Sequence, residues 1–173
     1  SGAVIVEAVH NTQKGITSHK TRTYAAHHFN LLNMEPAFSP QAERSADLYL
    51  KMNGRKVYEF ALQYVPLVIK EALDKSGFDL KSIDKVLIHQ ANDKMDTAIL
   101  ERLFSMYGED HIPEHIMPMT IGWLGNSSVA TIPTLLDLVL RGELDNHTLR
   151  EGDRILMASV GAGMNINALT YQF

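Results

Sequence analysis

The chain has 173 residues, 45% of them hydrophobic and 21% charged, which suits one folded domain and excludes a disordered one. A net charge of −4 with no long basic run argues against non-specific nucleic-acid binding, and no apolar run is long enough to cross a bilayer. The absence of cysteine excludes a disulfide scaffold or a thiolate metal site and fits a cytoplasmic protein.

The first segment, Ala3 to Val9, is β-branched and apolar and predicts a buried strand; it has no basic region of the kind that opens a signal peptide. A start inside a strand pattern, without Met, fits a chain cut from something longer, or a processed or tagged N-terminus. Arg22 to Ala26 suggests a second strand, and Asn30 to Pro40 has the punctuation of a loop. Leu48 to Met52 reads as a short strand ended by a turn at Asn53-Gly54. A long helix follows, with Val57, Phe60, Ala61, Tyr64, Leu67, Val68 and Ala72 on one face. Pro66 should kink or loosen it, and Gly77 should stop it.

Asp84 to His89 is a continuous apolar run and predicts a strand. Asn92 or Asp93 caps the next helix, whose stripe is Met95, Ile99, Leu103 and Met106 and whose end is Gly108. Ile116 to Met119 is a short extended piece. Asn126-Ser127-Ser128 opens another helix, running through Ile132, Leu135, Leu136 and Val139 to Gly142. Arg154 to Val160 and Asn165 to Phe173 are strands joined by Gly161-Ala162-Gly163, too short a link for anything but an antiparallel hairpin. This order predicts an α/β sheet, parallel at its centre, with the antiparallel pair at its edge.

In open α/β sheets, ligands collect beyond the carboxyl ends of the strands. Three segments fall at such ends: His89-Gln90-Ala91-Asn92, Gly125-Asn126-Ser127-Ser128 and Gly161-Ala162-Gly163. A neutral imidazole at His89, before a helix N-terminus, can donate a hydrogen bond or take a proton near pH 7. Asn126 offers an amide donor that does not titrate, suited to a developing oxyanion. The glycine-rich segment offers unencumbered backbone N–H groups. Each also has a plainer reading: a satisfied structural histidine, a helix cap and a hairpin turn. Spacing alone does not choose between these.

Other residues are weaker candidates. On a strand, His27 and His28 would face opposite sides, and Pro113 separates His111 from His115, so neither pair suits a metal. No Gly-x-Ser-x-Gly elbow surrounds Ser127 or Ser128. Asp137 and Glu143 read as solvated helix-end charges, and Trp123, before a glycine, reads more as core than as pocket wall.

Taken in order, His89-Gln90-Ala91-Asn92, then Gly125 through Pro133, then Ser159-Val160-Gly161-Ala162-Gly163-Met164, resemble the C-terminal motifs of β-ketoacyl-acyl-carrier-protein synthase III. Lys51 to Tyr58 is similar to the same family, so the resemblance runs from about Leu48 to Phe173, and Gly2-Ala3-Val4 looks like a strand midway through the full enzyme. His10 to Asp47 is not diagnostic. The resemblance implies a single domain over residues 1–173, the C-terminal half of a thiolase-like fold. That half is a mixed, mostly parallel sheet flanked by helices, with a C-terminal antiparallel hairpin.

It also implies a function, with two alternatives left open: another thiolase-superfamily condensation of alkylquinolone, resorcinol or polyketide type, which uses similar His and Asn residues, or a non-catalytic partner subunit that binds coenzyme A or carrier protein. In that family a cysteine of the other half takes an acyl group from acyl-CoA. A His and an Asn, matched here by His89 and Asn126, then bind the thioester of malonyl-acyl carrier protein (malonyl-ACP) as carbon dioxide leaves. Ala162 matches a backbone N–H of the oxyanion hole, where the family more often has three glycines. Asn92 and Gly54 match positions along the pantetheine channel. Lys94 and Arg102, eight residues apart on one helix face, match basic positions that receive the acyl carrier protein. Glu59 departs from the family, which often has a basic residue there. The implied partners are the acyl carrier protein, coenzyme A thioesters, the missing N-terminal half and a second copy of the full-length protein. No bound cofactor or metal, nucleic acid or membrane is implied.

Overall fold

The computed structural model describes residues 2–10, 12–39 and 47–173. Its main sheet has four strands in the order β1 (Gly15–Thr23), β6 (Asn165–Gln172), β5 (Arg154–Gly161), β4 (Lys85–Ile88). β5 and β6 form the expected antiparallel hairpin, in register from Arg154 opposite Gln172 to Gly161 opposite Asn165. β1 adds antiparallel to β6, and β4 adds parallel to β5, with Ile88 opposite Ala158. Three strands therefore run one way and β6 runs against them, a mixed sheet flanked by helices. One expectation is corrected: the hairpin occupies the centre of the sheet, not its edge. The cause is β1, whose sequence Gly-Ile-Thr-Ser-His-Lys-Thr-Arg-Thr is polar because it borders solvent.

Other expectations also change. Ala3 to Val9 pairs with no strand among the described residues, and Ile5 is 99% exposed. A strand cannot persist without a partner for its N–H and C=O groups. Arg22 and Thr23 end β1, and Ala25–His28 forms a one-turn helix, α1, so His27 and His28 are not on a strand. Within Asn30 to Pro40, Leu32–Glu35 forms β2, which pairs antiparallel with β3 (Tyr49–Met52); Pro40 lies outside the described residues. Asn53-Gly54 is a helix cap rather than a turn: the Asn53 side chain accepts the Lys56 N–H at 3.2 Å.

The helix so capped, α2 (Gly54–Ser76), is unbroken at Pro66 and ends at Gly77, whose φ of 75° suits a residue without a Cβ. It buries Phe60, Ala61, Val65, Val68, Ile69, Ala72 and Leu73 at helical spacing against the sheet. A buried polar contact fixes its seat: the Ser18 hydroxyl donates to the Ala72 carbonyl at 2.5 Å and meets the Thr170 hydroxyl at 2.9 Å. α3 (Asp93–Met106) packs beside α2 through Met95, Ile99, Leu100, Leu103 and Phe104. The opposite face of the sheet is covered in part by α5 (Thr131–Leu140), through Leu135 against Leu87 and Ile155. Beyond α5, His19, Thr21, Met157, Ser159 and Leu169 line an uncovered depression on that face.

Ile69 is fully buried between α2 and the sheet. Ile69→Ala is expected to lower the unfolding free energy of this chain by roughly 2–5 kcal/mol, read from denaturant titration.

Candidate active site

The parallel pairing of β4 with β5 puts the carboxyl ends of both strands at one edge. His89 continues the ladder there, its N–H donating to the Ala158 carbonyl at 2.9 Å. The next turn is closed by Asn92, whose side chain caps α3 by accepting the N–H groups of Lys94 and Met95. The His89 side chain is half-buried and stands 3.5 Å, through Nδ1, from the Thr131 hydroxyl at the start of α5. Burial pulls the His89 pKa below the usual histidine value, partly offset by the Ser128 carbonyl beside the ring. Burial therefore favours the neutral ring near pH 7.

Asn126 follows a four-residue helix, α4 (Ile121–Leu124), absent from the sequence reading. Gly125, at φ 67°, turns the chain out of that helix. The Asn126 side-chain oxygen accepts the Ser128 N–H at 2.9 Å, which leaves the amide nitrogen as the side chain's remaining donor. The Thr131 hydroxyl donates to the Ser128 carbonyl at 2.9 Å. A run of contacts thus joins His89 to Thr131, Ser128 and Asn126. Ser128 itself holds a positive φ of 53°, uncommon for a residue with a Cβ. Three residues before the helix proper, Ser128–Ala130 form a 3-10 turn, so α5 opens later than Asn126.

Ala162 lies one residue beyond β5, in a 3-10 turn, Ala162–Met164. The positive φ values of this turn fall on Gly163 and Met164, not on Ala162, so an alanine fits with its N–H kept. Gly54 sits elsewhere, in a groove beside the β2–β3 ribbon with Asn30, Asn33, Phe38 and Lys51. Lys94 and Arg102 are exposed on α3. Glu59 is tied to Arg55 and Lys56, both at 3.0 Å, and this pairing holds its carboxyl below the ordinary range.

Other residues singled out in the sequence lie away from His89 and Asn126 or at the surface. Trp123 is 63% exposed, against the core position expected of it. Its helix lies at the surface, because α4 is one turn long and buries none of its residues. The His28 ring packs on Phe60 and Tyr64, and His115 meets His147 edge-on at 5.8 Å. Among the described residues no three acidic or histidine side chains gather as a metal would need.

Three residues went unread. Thr131 lies in a motif that was recognised, but nothing local marks its hydroxyl as a partner of His89. Gln90 is fully buried, a placement the sequence hints at only through its strand-end position. Asp96 did carry a signal, since it sits three and four residues before Ile99 and Leu100 on the apolar stripe. It is 0% exposed, and neither carboxylate oxygen has a hydrogen bond of good geometry among the described residues. Burial pushes its pKa up to about 7, against the pull of the nearby Ala91 N–H.

The fold is a thiolase-like α/β domain. Crystal structures of β-ketoacyl-acyl-carrier-protein synthase III superpose on it: the Thermus thermophilus enzyme at 28% identity and TM-score 0.75, over 94% of this chain and 47% of that one. The Pseudomonas aeruginosa enzyme gives TM-score 0.76 at 23% identity, over 96% of this chain and 47% of that one. The chain belongs to the family of 3-oxoacyl-[acyl-carrier-protein] synthase III C-terminal domains, whose pattern matches residues 73–173. A β-ketoacyl-acyl-carrier-protein synthase III of Thermosynechococcus vestitus is 36% identical over 124 residues, 72% of this chain and 34% of that protein. The chain thus spans about one third of this curated relative and just under half of the solved structures.

Asp96 sets a pH dependence of stability. Its folded pKa is raised, so between about pH 4 and 7 the native state holds a proton that the unfolded state has released, and stability falls as pH rises through that window. Asp96→Asn removes the buried charge. Thermal unfolding of this chain should show the variant gaining over wild type at pH 8, with the gain shrinking toward pH 5; an equal gain at both pH values would contradict the buried ionisation.

Proposed function

We propose that this chain, as a single domain over residues 1–173, is the C-terminal half of a 3-oxoacyl-[acyl-carrier-protein] synthase III. In this reading the enzyme joins acyl-CoA to malonyl-ACP in cytoplasmic fatty acid biosynthesis, and this half generates the carbanion. The observation that carries the reading is the run of contacts from His89 through Thr131 and Ser128 to Asn126, which holds two uncharged donors from distant segments at one sheet edge.

The chemistry follows from charge. The thioester carbonyl of malonyl-ACP accepts hydrogen bonds from the His89 imidazole, through the ring nitrogen that carries the proton, and from the Asn126 amide. The bond to the carboxylate breaks, carbon dioxide leaves, and the electron pair forms an enolate whose charge gathers on the thioester oxygen. Two preformed donors stabilise that charge without reorganising. The carbanion then attacks the carbonyl of an acyl-cysteine, and the cysteine leaves as thiolate with the 3-oxoacyl-ACP formed.

That cysteine belongs to a complementary half, because this chain has none. The Ala162 N–H joins the cysteine's own N–H around the tetrahedral oxyanion. Asn92, whose amide nitrogen is not used by its capping bonds, and Gly54 border the pantetheine path. Lys94 and Arg102 receive the acidic carrier protein. Glu59, neutralised by Arg55 and Lys56, contributes little to that docking. The complementary half also explains an exposed apolar rim: Trp123, and Val129 at 83% exposure, flank Asn126 and await a cover. The full-length protein acts as a homodimer and needs no bound cofactor, since two hydrogen-bond donors and one thiolate suffice.

In the full-length protein, His89→Ala and Asn126→Ala should each slow carbon dioxide release from malonyl-ACP by about 10²–10³-fold, and the double variant by far less than the product. Unchanged release in both would sink the assignment. The wild-type rate should hold level from pH 8 to below the usual histidine pKa and fall only at more acid pH, as the depressed His89 titrates. This chain alone, incubated with radiolabelled acetyl-CoA, should retain no covalent label; stable protein-bound label would refute the division of labour.

A further inference from the structure

Gln90 is 0% exposed, and its amide is almost fully used. Its nitrogen donates to the Pro118 carbonyl at 2.7 Å. Its oxygen accepts the Thr120 N–H at 2.8 Å, the Ile121 N–H at 3.0 Å and the Thr120 hydroxyl at 3.2 Å. Thr120 is the cap residue of α4 and makes no side-chain capping bond of its own, so Gln90 supplies that helix with its cap from another segment. From there the path to Asn126 is short. The Leu124 and Gly125 N–H groups return to the Thr120 and Ile121 carbonyls, and Gly125 turns the chain directly into Asn126.

On the other side Gln90 is the residue after His89, whose N–H is held by Ala158. One buried amide therefore spans the two loops that carry the two donors. We propose that Gln90 is a positioning residue that sets the separation of His89 and Asn126 and so the fit of both to one oxygen. It touches no substrate. The inference rests on the proposed carbanion-stabilising role of that pair.

The amide's pattern, one donor to Pro118 and one acceptor for Thr120 and Ile121, can be kept by a protonated glutamic acid and not by a carboxylate. A carboxylate would face the Pro118 carbonyl with no proton between them, and that contact and burial raise its pKa against the opposing pull of the Thr120 and Ile121 N–H groups. Gln90→Glu is thus a conditional variant, rescued by acid.

The test is carbon dioxide release from malonyl-ACP by the full-length protein, read as kcat and KM between pH 5.5 and 8.5, with thermal unfolding at each pH to establish that the variant is folded. Gln90→Glu is expected to match wild-type kcat at the acid end and to fall about 10–100-fold below it at the alkaline end, with KM within about twofold throughout, since orientation errors act on the transition state. A folded Gln90→Glu enzyme whose kcat tracks wild type across the range overturns the proposal, as does a loss confined to KM. Gln90→Met, of similar volume with none of the four bonds, guards against a glutamate variant that unfolds. It should lose kcat at every pH without acid rescue, and a folded Gln90→Met enzyme at the wild-type rate is equally fatal. A wild-type protein that releases no carbon dioxide overturns the parent reading and this proposal with it, whereas an active wild type with unaffected Gln90 variants overturns this proposal alone.

Discussion

Parallel pairing of β4 with β5 is the constraint on which the site depends. Only strands running the same way end at the same edge, and that edge is where His89 leaves one strand and Gly161 leads out of the other. An antiparallel pair would send those segments to opposite ends of the sheet, roughly 3.3 Å per residue apart along its length. The hairpin with β6 then holds β5 from its other side, and β1 closes the sheet with a polar border. α2 and α3 cover one face and α5 covers part of the other, so α5 can start at the same edge and carry Thr131 to His89.

Neutrality is the second thread. Two charged groups could also stabilise an enolate, but a charge in a covered pocket carries a large desolvation cost and shifts its own pKa to escape it. His89 follows that rule, its pKa pulled down by burial, and Asn126 never faces it. Asp96 obeys the same rule in the opposite direction on the neighbouring helix. Its carboxyl lies in the core with its pKa pushed up to about 7, so the fold tolerates it chiefly as the neutral acid.

What the sequence revealed and concealed divides along physical lines. β4, α3, β5 and β6 were legible because each buries one face or both, and burial writes itself as periodicity: Ile166, Ala168 and Thr170 alternate inward along β6. β1 was only partly legible because a polar border strand needs no apolar pattern. Ala3 to Val9 has the composition of a buried strand but no partner among the described residues, since composition records an environment and not whether that environment is present. Asn53-Gly54 misled because the same dipeptide that favours a turn also favours a cap, and only the 23-residue helix that begins at Gly54 decides which. His89 and Asn126, the donors proposed above, were singled out through a motif. The side chains that hold them, Gln90 and Thr131, were not, because their roles are contacts between segments 28 to 42 residues apart.

A final consequence concerns how little of the apparatus is carried by regular structure. Asn126 lies between a one-turn helix and a 3-10 turn, and Ala162 lies in another 3-10 turn. Such pieces have too few internal hydrogen bonds to stand alone. Two non-glycine residues with positive φ, Ser128 and Met164, sit in these turns, a conformation that persists only where the surroundings over-determine it. The over-determination is visible: Gln90 grips the start of α4, Asn126 accepts the Ser128 N–H, Thr131 donates to the Ser128 carbonyl, and the Met164 carbonyl accepts the Tyr24 N–H at 3.0 Å with the Met164 side chain in the core. Precision at the sheet edge therefore comes from cross-links between segments rather than from the helices and strands that deliver them, and removal of any one cross-link should loosen the donors before it unfolds the domain.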